Sequence, residues 1–275
     1  MSPRRSSPGF EKVVQETIDQ GTSFLRQHGW LDEKTSGPDV ARISPTLTSG
    51  VYPRPAEVEE ALYRSPLSAA AHEYRGSLTT ASAWYELGQY FWCGDRTVPG
   101  ETRLVPDLMI REAVAVDQLP AAICADRVGN SQRARDLYGW AAGNYLLTEE
   151  EILGFANSDQ IQPIWEFLPM RAYALICVGD WSEALMAAET AEGWLKKDRY
   201  AEKNRKQNQL LPVLLALARY KLEPTAENRQ IARGMLDLKA ITSREMHERL
   251  LCYFYLYNLR SRFGGELLAE GENWE

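Results

Sequence analysis

The chain reads as all-α, and three observations point that way. Apolar residues recur at helical spacing, as in Val13, Val14, Ile18, Phe24 and Leu25. Amphipathic segments come in pairs broken at a glycine followed by a polar residue, at Gly129-Asn130 and Gly179-Asp180. No alternating segment bounded by hairpin turns occurs, so no sheet is needed anywhere.

Residues 1–9 are Ser/Pro/Arg-rich and read as a disordered tail. A first helix is expected from Glu11 to His28, stopped by Gly29. From Leu31 to Pro55 breakers crowd the chain (Gly37-Pro38, Ser44-Pro45, Ser49-Gly50), so this stretch reads as the divide between an N-terminal helix and the main body. Glu57–Tyr63 reads as a short helix ending near Ser65-Pro66, and Leu67–Cys93 as a long helical pattern bent near Gly76. Asp107–Gln118 and then Pro120–Val128 follow, the latter pairing with Ser131–Leu146. Thr148-Glu-Glu-Glu151 has the form of a capping box. Ile164–Val178 pairs with Trp181–Lys196, and Glu202–Leu222, kinked or divided at Pro212, with Ala226–Leu238. A last helix is capped by Thr242-Ser-Arg-Glu245 and stopped by Gly264-Gly265. The expected divisions are thus 1–9, 10–55, a helical body over 56–265, and a tail over 266–275.

Bulk properties exclude several classes. The 275 residues are 44% hydrophobic and 25% charged, ordinary for a folded domain. A net charge of −7 argues against general binding to nucleic acid or anionic membrane. The longest apolar runs, Leu210–Ala218 and Leu250–Leu259, fall short of the about 20 residues of a membrane span. Cys93, Cys124, Cys177 and Cys252 are scattered in apolar stretches and read as buried free thiols, so the chain is expected to be soluble and cytoplasmic.

The two clearest hairpins echo one another. With Gly129 set on Gly179, Asn130 meets Asp180, and Ala122, Ala134 and Ala141 meet Ala172, Ala184 and Ala191. Gly94-Asp95, 35 residues before Gly129, reads as a further turn after Trp84-Tyr-Glu-Leu-Gly88. This pattern resembles the tetratricopeptide (TPR) family of helix-turn-helix units, over roughly residues 80–240. The step from Gly129 to Gly179 is 50 residues, against about 34 in that family. Leu147–Pro163 fills the excess.

The resemblance implies a TPR-like stack of antiparallel helical hairpins, an α-solenoid, that binds a protein or peptide. It places Asp126, Arg127, Tyr173 and Ile176 on a concave face lined by the first helices. Some TPR proteins hold a partner's carboxylate with Lys and Asn side chains, and Arg171, Lys203 and Asn208 have suitable chemistry. Lys203, Arg205 and Lys206 belong to a basic turn, 196–208, in an otherwise acidic chain.

His28, His72 and His247 form no H-E-x-x-H or E-x-x-H pair, and no phosphate loop, dinucleotide fingerprint or nucleophile elbow occurs. Gly139-x-x-x-Gly143 reads as a site of close helix packing. No cofactor, metal or catalytic residue is expected. The expected function is a non-catalytic interaction module or adaptor with a dedicated partner. An α-helical enzyme or small-ligand binder among the Trp/Tyr-rich helices is one alternative. A nucleic-acid binder through 196–206 is another. Cys252-Tyr-Phe-Tyr-Leu-Tyr257 carries aromatics all round its helix, which suits core packing or a homodimer surface, and Trp274 is unusual in a polar tail.

Overall fold

The computed structural model describes residues 8–44, 55–93, 108–158, 162–197, 210–236 and 246–268, and it is all-α apart from one small ribbon. The described residues fall into two compact units that meet in sequence at Asn144 and Tyr145. The first holds α1 (Pro8–His28), α2 (Ala56–Tyr74), α3 (Leu78–Cys93), α4 (Leu108–Arg127) and α5 (Ser131–Asn144). The second holds α6 (Glu149–Asn157), α7 (Gln162–Val178), α8 (Trp181–Lys197), α9 (Leu210–Leu222), α10 (Ala226–Met235) and α11 (Met246–Leu267). No described helix is long and apolar enough to cross a membrane.

One turn chemistry ends four helices. Gly29, Gly76, Gly129 and Gly179 all have positive φ, between 71° and 92°. The following N–H in each case donates five residues back: Trp30 to Leu25, Ser77 to His72, Asn130 to Ala125 and Asp180 to Leu175. This is the Schellman arrangement, and it satisfies carbonyls the helix end leaves open. In the last three the residue after glycine also starts the next helix, its carbonyl accepting from Ala81, Ala134 or Ala184. Asn130 and Asp180 add a side-chain cap, each Oδ1 accepting at 3.3 Å from the backbone N–H of Arg133 or Glu183.

These turns make α2–α3, α4–α5 and α7–α8 tight hairpins, each a closely packed pair. Ala122, Ala134, Ala141, Ala172, Ala184 and Ala191 are all buried, as close helix approach requires. At Gly179 an alanine has space but the wrong φ, so Gly179→Ala should cost about 1 kcal/mol. Gly193, inside α8 and facing open space, should respond oppositely, Gly193→Ala gaining up to about 1 kcal/mol. Urea midpoints of the two variants check the opposed signs.

Several sequence expectations change here. Pro66 and Pro120 do not end helices; α2 and α4 run through them, as α7 runs through Pro169. Gly76 is a complete reversal rather than a bend. α11 continues past Gly264-Gly265 to Leu267. A Cβ on Gly139 meets nothing within 4 Å, so no close packing occurs there. The capping box is present, Thr148 Oγ1 accepting from Glu151 N and Glu151 Oε2 from Thr148 N.

A short antiparallel ribbon, Leu31–Asp32 with Gly37–Pro38, lies in the segment for which no sheet was expected. Asp32 holds its turn, accepting from Lys34 N and Thr35 Oγ1 at 2.9 Å each. The Thr80 hydroxyl of α3 donates to the Thr35 carbonyl at 2.7 Å, and Trp30 packs on Phe91. The stretch after α1 is therefore fastened onto α3, within the same unit as α2–α5, and Leu31 and Ile43 are core. Gly94-Asp95, the Thr242 motif and Trp274 lie outside the described residues.

Candidate functional site

In the second unit α8, α9 and α10 enclose a groove of about 340 Å³. Its floor follows from the sequence of α9, Leu-Leu-Pro-Val-Leu-Leu-Ala-Leu-Ala, whose Leu211, Leu215 and Ala216 are buried beside Leu195 of α8. Its wall is α10, which Thr225 caps by accepting from Asn228 N. Ile231 and Met235, one turn apart on that helix, remain 45% and 43% exposed over the floor. Among the described lining residues, the polar ones are Glu192, Arg219 and Asn228. Arg219 pairs with Glu189 at 3.0 Å, Glu192 with Lys196 at 3.1 Å, and the Asn228 amide donates to the Glu223 carbonyl. The groove can therefore take apolar side chains, and its polar edge is already engaged.

A different environment lies inside the first unit. Ser65, Ser68 and His72 share one face of α2 at spacings of three and four, and all three are buried. Ser65 Oγ, His72 Nε2, Trp84 Nε1 and Gln89 Nε2 are buried without a hydrogen-bond partner. Asp117 of α4 enters the same core through the gap left by Gly88. A Cβ there would come within 2.4 Å of its Oδ2 and 3.4 Å of the Ser65 Cβ. Burial alone pushes the Asp117 carboxyl up to about 7, and burial pushes the His72 imidazole down, toward its neutral form.

At the residue after His72, burial raises the Glu73 pKa against the opposing pull of Arg127 at 3.5 Å and a Tyr85 hydrogen bond. Burial, with Glu73 adding to it, pushes the Cys124 thiol up to about 12. Cys124 is thus a protonated thiol at neutral pH and no nucleophile. Among the described residues no group of three or more His, Cys, Asp or Glu side chains is placed to hold a metal ion.

The residues expected to contact a partner belong to both units. Asp126 is half-buried and Arg127, beside it, is held by Glu73 in the first unit. Arg171 pairs with Glu183 at 3.2 Å across the α7–α8 hairpin. Tyr173 and Ile176 are core rather than concave surface, and α11 reaches the Tyr173 hydroxyl. Asn258 of α11 donates to the Tyr173 hydroxyl at 2.7 Å, and Tyr255 meets its ring edge-on. Phe263 packs on Trp181, so both described aromatics of that helix turn into their own unit. Lys203, Arg205, Lys206 and Asn208 lie outside the described residues.

The groove itself escaped sequence reasoning. Its signal is the pair Ile231 and Met235 on an otherwise polar helix, Ala226–Met235, where i and i+4 mark an apolar stripe. Comparison with protein-family models, with curated proteins and with solved structures finds no match to this chain.

Proposed function

We propose that the protein is a non-catalytic interaction module, and that the α8–α9–α10 groove takes an apolar segment of a dedicated partner protein. Ile231 and Met235, exposed above a floor of buried leucines, are the observation that supports this most directly. An amphipathic helix laid in such a groove anchors through side chains one turn apart, which is the spacing the wall offers. In this reading the hairpins are degenerate TPR-like units. Their shared glycine turn and the matched alanines of 122–141 and 172–191 support that assignment.

Affinity purification from the native host, run in parallel with an Ile231→Glu/Met235→Glu variant, tests it. Both side chains are exposed, so the variant should keep its circular dichroism. The partner should bind it at least roughly 30-fold more weakly, the equivalent of about 2 kcal/mol at an interface anchor. A partner held equally by both proteins removes the groove from the account. The small-ligand alternative is favoured only by the groove's volume, at the low end for such sites. It predicts a fixed extra mass in native mass spectra that the same variant loses.

A further inference from the structure

The exposed face of α2 carries an apolar stripe: Tyr63, Leu67, Ala70 and Tyr74. Their spacings of four, three and four residues keep them on one side of the helix. Tyr63 is 71% exposed, Leu67 49% and Tyr74 45%. The opposite faces of α2 are occupied. Ser68 meets α1 at Gly21, and Ser65 meets α3 at Gly88.

The stripe reads alike in both directions. Turned end over end about a point between Ser68 and Ala69, Tyr63 falls on Tyr74 and Leu67 on Ala70. Two copies of α2 packed antiparallel therefore set each Leu67 knob against the small Ala70 of the other copy, with a tyrosine pair closing either end. A parallel pair would set Ala70 on Ala70 and leave a gap. Charge selects the same arrangement. Glu59 and Glu60 are exposed at the start of the helix, and Arg75 follows its end. Antiparallel packing brings each acidic start within one helical turn of the other copy's Arg75, whereas parallel packing would oppose the acidic starts. Glu60 and Arg75 also hold intramolecular partners, Arg64 and Glu11, so the charges steer orientation more than they add affinity.

We infer that α2 is a homodimerisation surface, two copies of this chain packing antiparallel through Tyr63, Leu67, Ala70 and Tyr74. Four side chains a copy fall short of the roughly 1,200 Å² at which standard interfaces begin, so the dimer is reversible and its population rises with concentration.

Sedimentation velocity over a concentration series should show this for the full chain. Leu67→Glu and Ala70→Glu, both at exposed positions, should each weaken association at least tenfold with circular dichroism unchanged. Mild oxidation should join Ala70→Cys chains into a covalent dimer, the two positions being offset by only about 4.5 Å along the helix. Glu59→Cys chains, offset by more than about 25 Å, should not join. A chain monomeric at its highest soluble concentration overturns the inference. So does a dimer indifferent to both glutamate substitutions, as association through another surface such as α11 would be. Cross-linking at Glu59→Cys in place of Ala70→Cys overturns the antiparallel arrangement.

Discussion

Asp117→Asn should stabilise the first unit by several kcal/mol above neutral pH while changing little below about pH 4. Asp117 is buried against Gly88 and Ser65, and burial raises its pKa from 3.8 to about 7. Between those values the folded chain keeps a proton that the unfolded chain releases. Its contribution to stability is therefore complete below the unfolded value and is lost as pH rises through the folded one. At about 1.4 kcal/mol per pKa unit the loss reaches about 4 kcal/mol above pH 7. Asparagine preserves the shape and cannot ionise, so the difference between variant and wild type should open with rising pH. His72 works in the other direction: its lowered pKa means that stability falls as pH drops through its unfolded value of 6.5. Comparing the two proteins at each pH cancels His72 and leaves Asp117. Urea unfolding at about pH 4 and about pH 8 is the measurement. Parallel curves at the two pH values would mean that Asp117 is ionised in the folded protein.

That carboxyl was not legible in the sequence, and the reason is physical. Ser65, Ser68 and His72 fall at helical spacing with Val58 and Ala61, so they lie on the buried face, yet local pattern gives no account of what a polar side chain meets there. Gly88 was the better signal. A glycine inside a helix costs about 1 kcal/mol relative to alanine and needs a reason, here the close approach of Asp117.

The turns at Gly129 and Gly179 were legible because a left-handed residue followed by a capping side chain is a local requirement. Pro66 and Pro120 misled for the converse reason. A proline's lost hydrogen bond is local, but what offsets it is the packing of the turns on either side, which belongs to the tertiary fold. Their placement was informative all the same, since Pro66, Pro120 and Pro169 each stand nine or ten residues before a turn glycine. Tyr173 was misplaced because the helix that reaches it arrives some 80 residues later in the chain.

Asn258→Ala should cost the second unit about 3 kcal/mol, although the residue is neither catalytic nor part of the groove. Its amide donates to the Tyr173 hydroxyl at 2.7 Å, in a core where both side chains are almost fully buried. Nearby, Arg262 donates to the Cys177 carbonyl at 2.6 Å, so α11 grips α7 through polar groups, while its Leu256 and Leu259 are buried in the same unit. Truncating Asn258 takes that donor from a hydroxyl that water cannot reach, at about 1–3 kcal/mol, and leaves a void besides. Tyr173→Phe keeps the ring against Tyr255 and should cost only about 1 kcal/mol. If the hydrogen bond is what joins the two helices, the double variant should be more stable than the sum of the single losses allows, by about 1 kcal/mol or more. Denaturant midpoints of the four proteins close the cycle. Strict additivity would show that α11 is held by its apolar face alone. The geometry around Tyr173 would then be packing around a tolerated polar pair, and the expectation for Asn258→Ala would fall to the cost of the void.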